Sequence, residues 1–298
     1  MAEVPRLLCV HPHPDDESIA CGGVLALAAD RGAASAVVTC TGGEAGENLA
    51  GIDLGTEDLA SHRRRELAAA LAELGVDEHV WLGYRDSGMA GTPENEHPEA
   101  FVHAEVDEAA RRLAVEVRRL RPHVVVSDDE RGTYGHPDHV HAHRVTVRAV
   151  ALAADEEVDL GGLAPWRVAK RYVHALAVER LLRMHAALRE AGLASPFGDE
   201  PLIDVDELPF GVPDAAITTR VDVREQLPRK RAALQAHRSQ IGDDSFFLNV
   251  PDELAEDVFG WEEFVLEAGV AAPGTADDGR ERDLFAGLDV AGAVGRGG

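Results

Sequence analysis

Residues 7–17, Leu7-Leu8-Cys9-Val10-His11-Pro12-His13-Pro14-Asp15-Asp16-Glu17 ("LLCVHPHPDDE"), join a short apolar run to two imidazoles and three carboxylates. The apolar run reads as a buried strand, and an ordinary turn after it would need Gly, Asn or Pro, not this density of titratable groups. Working outward, the same grammar repeats. Ser18–Arg31 carries apolar residues at helical spacing and stops at Gly32; Ala36–Thr41 is a second strand; Ser61–Leu74 is a helix ended by Gly75. A short strand around Val80–Leu82, a helix over Phe101–Leu120 and a continuous apolar strand, Val124–Ser127, follow. Continuous apolar strands separated by helices predict an α/β fold: a Rossmann-like, mostly parallel sheet flanked by helices.

In such sheets ligands bind beyond the carboxyl ends of the strands. The segments that follow the strands are the chemically loaded ones: HPHPDDE, then Gly42–Glu47, Arg85–Met89 and Asp128–His143. Beyond about residue 160 the alternation weakens. Lys170–Leu176, Ile217–Val223 and Trp261–Leu266 read as strands, and Val178–Ala191 and Arg224–Ile241 as helices. Pro196–Pro213 reads as a long loop. The expected organisation is residues 1–160 as the domain with the metal site and 161–298 as a smaller, substrate-shaping α+β subdomain. The tail 291–298 is expected to be disordered.

Composition narrows the function. Lys and Arg number 29 against 54 Asp and Glu, a formal net charge of −25. Nucleic acid and anionic membrane attract basic surfaces, so neither is an expected partner. Cys9, Cys21 and Cys40 form no C-x-x-C pair, and the chain has neither a secretory leader pattern nor a membrane-length apolar run. A reduced, cytoplasmic protein is expected. No G-x-G-x-x-G follows the first strand, which disfavours a dinucleotide enzyme.

A second cluster, Tyr134-Gly135-His136-Pro137-Asp138-His139-Val140-His141-Ala142-His143, pairs naturally with the first. Pro137 suits the first turn of a helix, which puts His139 and His143 on one face with His136 just before it. Imidazole and carboxylate donors suit a divalent transition metal, and a catalytic zinc needs three protein ligands and an open position. Spacing leaves His11, His13, Asp15, Asp16, Glu17, His136, His139, His141 and His143 all eligible. The bland reading makes Asp15 or Asp16 a helix cap and the histidines ordinary surface residues.

HPHPDDE and YGHPDH, together with VVTCTGGEAGE, WLGYRDSGMAGT, RLRPHVVVS and KRAALQAHRSQI, resemble the PIG-L/LmbE-like zinc N-deacetylases, and most closely their mycothiol branch. That branch holds an N-acetylglucosaminyl-inositol deacetylase and a mycothiol S-conjugate amidase. The resemblance implies hydrolysis of the N-acetyl amide of an amino-sugar glycoside, with the amidase as the alternative. It implies one Zn2+ per chain, or Fe2+, on His13, Asp16 and His139. It makes Asp15 the general base, and His136 a charged oxyanion stabiliser or acid oriented and raised in pKa by Asp138. Tyr134 would donate a hydrogen bond to the oxyanion, and Arg63, Asp86 and Met89 would contact the sugar and inositol. Arg63, within the run Arg63-Arg64-Arg65, reads otherwise as a solvated cation, and Asp86 as a turn residue. A binding module without turnover would be expected to lack Asp15 or His136, and both are present.

Overall fold

The computed structural model describes residues 3–198, 200–202, 208, 210–272 and 278–290. The tail 291–298 lies outside them. Among the described residues seven strands form one sheet: β1 (Arg6–His11), β2 (Ala34–Thr41), β3 (Glu78–Tyr84), β4 (Val124–Ser127), β5 (Lys170–Ala175), β6 (Thr219–Asp222) and β7 (Trp261–Ala268). Their spatial order is β3-β2-β1-β4-β5-β7-β6. The first five are parallel, and β7 runs antiparallel to both β5 and β6. The residues beyond 161 thus extend the same sheet.

Among the described residues eight α-helices cover the sheet: α1 (Asp16–Asp30), α2 (Leu59–Leu74), α3 (Val106–Leu120), α4 (Pro137–Ala154), α5 (Val178–Glu190), α6 (Leu227–Ala236), α7 (Phe246–Asn249) and α8 (Asp252–Phe259). Alternate residues of β1 serve opposite faces, as strand geometry requires. Leu7 and Cys9 pack with Leu25 of α1, Leu67 of α2 and Ala233 of α6. Leu8 and Val10 pack with Leu113 of α3 and Val145 of α4. Both faces are dry, so the strands carry no polar alternation and read as continuous apolar runs.

Two expected helices are shorter than their periodicity suggests. Phe101–His103 is a single 3-10 turn, and α3 begins only at Val106. The Arg224–Ile241 pattern is a 3-10 turn followed by α6, with Pro228 in its first turn. α6 ends at Ala236, where His237 turns away toward the first loop.

The strand order reverses at β1: its two neighbours, β2 and β4, connect outward in opposite directions. Such a switch point leaves a crevice at the carboxyl ends of the strands. HPHPDDE leaves β1 there, and residues 128–143 leave β4 beside it, so the order of strands alone brings the two clusters together.

Candidate metal centre and active site

Each histidine is set by its local fold. His136 is the N-cap of α4; its Nδ1 accepts the Asp138 backbone N–H at 3.1 Å, and Pro137 occupies the first turn. One turn on, His139 faces the crevice. Its Nδ1 lies 2.7 Å from Asp128 Oδ1, at the end of β4, and Asp128 is fully buried. His174 Nε2 of β5 joins the same carboxylate oxygen at 2.9 Å. His13 sits in the loop after β1, its backbone N–H donating to Asp16 Oδ2 at 2.9 Å.

These loops bring a donor set together. Asp16 Oδ2 is 3.4 Å from His13 Nδ1, and Asp16 Oδ1 is 3.6 Å from His139 Nε2. His13, His136 and His139 each offer a ring nitrogen within 4.8 Å of the others. The fit to a divalent ion rests on His139: its Nε2 is buried and has no hydrogen-bond partner, while its Nδ1 is tied to a carboxylate. That is how a metal-binding imidazole is oriented. His13 is arranged alike, with Nε2 donating to Asp138 Oδ2 at 3.2 Å and Nδ1 turned to Asp16. A further buried set, Cys9, His11 and Cys21, does not line the cleft.

Electrostatics follow from burial and neighbours. Burial opposes charge on His13, yet the carboxylates of Asp138, Asp16 and Asp86 hold its pKa well above the ordinary histidine value. Burial would raise Asp16, but His139 and His13 pull it far below the usual carboxylate range. Asp15 behaves oppositely. Burial raises it to about 6 against the pull of the Arg63 guanidinium, with Asp16 adding to the rise. Two adjacent carboxylates are thereby driven apart, one firmly ionised and one poised to exchange a proton near neutrality.

Asp15 stands at the N-cap position of α1 but makes no capping bond with its side chain, and its φ is +120°. Arg63 is buried, not solvated: it donates to Gly43 O and Pro14 O, both at 2.6 Å, and to Asp15 Oδ2 at 3.2 Å. Gly43 is required there, because a Cβ would come within 2.4 Å of the guanidinium. Asp86 is also buried, accepting the Gly88 N–H at 2.8 Å and the Ala45 N–H at 3.2 Å. Met89 and Tyr134 are 46% and 51% exposed and line the mouth of a cleft of about 810 Å³. The Tyr134 ring lies against His139 and His136.

Two expectations about His136 meet a different environment. Burial, aided by His13, lowers its pKa to about 4 against the raising pull of Asp138, which disfavours the expected imidazolium. Asp138 does not orient it through its carboxylate. That carboxylate is taken up by the Ser87 backbone N–H at 2.9 Å, by Ser87 Oγ and by His13. Glu17, one of the eligible ligands, is fully buried and bonded to His237. His11, His141 and His143 are buried as well. The sequence reading missed Asp128, His174 and Ser87 as partners. Asp128 alone carried a signal, as the first residue after a continuous apolar strand.

Comparison with known proteins gives the family. The family model PIG-L, described as GlcNAc-PI de-N-acetylase, matches residues 8–150. The chain is 47% identical over 304 residues to the 1D-myo-inositol 2-acetamido-2-deoxy-alpha-D-glucopyranoside deacetylase of Acidothermus cellulolyticus, covering 98% of this chain and 99% of that one. The chain belongs to the PIG-L family. Among solved structures, the N,N'-diacetylchitobiose deacetylase of Pyrococcus horikoshii has a similar fold. Its TM-score is 0.58 at 21% identity, over 88% of this chain and 83% of that one. The 4-carboxy-2-hydroxymuconate hydratase GalB of Pseudomonas putida KT2440 matches with a TM-score of 0.61 at 21% identity, over 92% and 100%. The fold therefore serves more than one reaction, and function has to be argued from the site.

Proposed function

We propose that this protein hydrolyses the N-acetyl amide of 1D-myo-inositol 2-acetamido-2-deoxy-alpha-D-glucopyranoside, the deacetylation step of mycothiol biosynthesis. The near full-length similarity to relatives bearing that name supports the substrate. The observation that carries the chemistry is the convergence of His13, Asp16 and His139 with the part-buried carboxyl of Asp15 beside them, whose pKa burial raises to about 6.

His13, Asp16 and His139 would hold one divalent ion, Zn2+ or Fe2+, which supplies Lewis-acid polarisation to the reacting water and amide. Asp15 takes the proton of the attacking water and, once protonated, returns it to the departing amine. His136 serves as a neutral donor: with Nδ1 accepting from Asp138, its proton resides on Nε2. Tyr134, whose pKa burial raises further, keeps its phenolic hydrogen for the developing oxyanion. Arg63 and Asp86, as bonded here, shape the loops, and Met89 faces the sugar side of the cleft.

A second reading, the mycothiol S-conjugate amidase, is favoured by one observation. The cleft has an apolar side, with Phe197, Phe246, Phe259 and Trp261, that suits a bulky apolar substituent. Release of primary amine, followed with fluorescamine on one metal-defined preparation, decides between them. The substrates are N-acetylglucosaminyl-inositol, free N-acetylglucosamine and an S-conjugate. Cleavage of the inositol glycoside is expected; cleavage of the conjugate alone overturns the first reading. A reducing cytoplasm is the compartment that goes with this reading, and three buried, unpaired cysteines support it. A denatured, unreduced sample should titrate three thiols, and fewer would count against that compartment. No helix among the described residues is long and apolar enough to cross a membrane.

A further inference from the structure

Residues 236–241 ("AHRSQI") take no part in the chemistry above, yet they are tied to the catalytic loop. His237 follows the end of α6 and is fully enclosed, with Nε2 2.8 Å from Glu17 Oε1. Glu17 is equally enclosed, and its Oε2 accepts the backbone N–H of Asp15 at 3.0 Å. Ser18 Oγ donates to Oε1 at 2.5 Å. The segment carrying His237 is itself anchored. Ser239 donates to Glu66 from its backbone at 2.7 Å and its hydroxyl at 2.6 Å, and Gln240 Nε2 donates to Glu47 O at 2.9 Å.

Asp15 needs such an anchor. A φ of +120° is a conformation that side-chain-bearing residues rarely adopt, and it persists only where the surrounding structure holds it. φ is the rotation about N–Cα, so fixing it requires a grip on both sides of that bond. On one side, the Asp15 carbonyl accepts the N–H groups of Ser18 and Ile19 at 3.0 and 3.1 Å. On the other, the Asp15 N–H is held by Glu17. Arg63 touches only the side chain. Buried ion pairs stabilise a fold poorly compared with apolar side chains of the same size, so stability is a weak reason for this one. What it provides is direction.

We propose that Glu17 and His237 are positioning residues: the pair clamps the Asp15 N–H so that the Asp15 carboxylate faces the reacting atoms. The proposal rests on the reading of Asp15 as the proton acceptor. It is tested with Glu17→Ala, Glu17→Gln and His237→Leu, each confirmed as metal-loaded by elemental analysis and assayed well below its melting temperature. Turnover of N-acetylglucosaminyl-inositol should fall about 10- to 100-fold in Glu17→Ala, the scale expected of a misaimed group. KM should hold to within about twofold, because ground-state binding is untouched. Glu17→Gln, which keeps an acceptor for the Asp15 N–H, should recover most of the loss. Added to Asp15→Ala, Glu17→Ala should cost nothing further, and in its crystal structure Asp15 should relax to negative φ. An equal loss in both backgrounds, or a retained positive φ, overturns the proposal. If Glu17→Ala does not fold, His237→Leu supports the same comparison with Glu17 deprived of its imidazole partner. Should Asp15→Ala keep full turnover, the proton-acceptor reading fails, while the φ measurement still decides whether the clamp exists.

Discussion

Asp15 and His136 sit on the same cleft, and burial moves them in opposite directions, up to about 6 for the acid and down to about 4 for the imidazole. The sign for activity follows directly. Protonated Asp15 cannot accept a proton, so the rate should fall as pH drops through its pKa. A divalent cation alongside lowers that value, so the acidic limb should lie at or below about 6. With burial holding its pKa low, His136 should be neutral through the neutral range and contribute no basic limb. A His136→Ala variant should therefore lose rate while keeping the shape of its pH–rate profile, and a shifted basic limb in that variant would contradict the neutral assignment. The backbone at Asp15 allows a separate check. Both Asp15→Ala and Asp15→Gly remove the carboxylate, but only glycine is at ease at positive φ. Asp15→Gly should thus be more stable than Asp15→Ala by about 1 kcal/mol in urea unfolding. Equal stabilities would mean the strain is absent in solution.

At the scale of elements, α1 is the piece on which the site turns, and it is bound to the far end of the chain. Glu262 of β7 accepts the backbone N–H groups of Gly23 and Val24 at 2.7 and 2.8 Å, within the helix. Lys230 of α6 donates to Ile19 O at 2.9 Å and to Glu262 at 2.7 Å. Gly23 permits the approach: a Cβ there would meet Val223 at 2.6 Å. Removing one partner of a buried pair strands the other, so Glu262→Ala should destabilise by about 3–5 kcal/mol in urea unfolding. A loss below 1 kcal/mol would show that Lys230 finds water instead. None of this was legible in the sequence, where Lys230 and Glu262 look like ordinary surface charges. The strands were legible because both sheet faces are dry, and α4 because Pro137 marks its start. The end of α6 was not, because His237 leaves the helix for a carboxylate 220 residues away. The charge of His136 was not either, since motif residues do not reveal how deeply a ring is buried.

For the whole molecule, the strand order explains why two motifs more than a hundred residues apart form one site: β1 and β4 are neighbours at the switch point. A site assembled from two chain segments links metal binding to folding. Zn2+ added to chelator-stripped protein should raise the melting temperature, with about 2.7 kcal/mol of stabilisation at a hundredfold excess over Kd. His139→Ala should largely abolish that rise, and an undiminished rise would remove His139 from the ligand set.

The long reach of α1 also sets synthesis against folding. His13, Asp16 and His139 have all left the ribosome before Lys230, His237 and Glu262 are made, yet those late residues grip the helix that carries Asp16. The first helix to be translated is among the last to be completed. On the proposed assignment, a nascent or truncated chain ending before α6 would carry His13, Asp16 and His139 but neither the grip on α1 nor the clamp on Asp15, and competence for turnover would arrive only with β7.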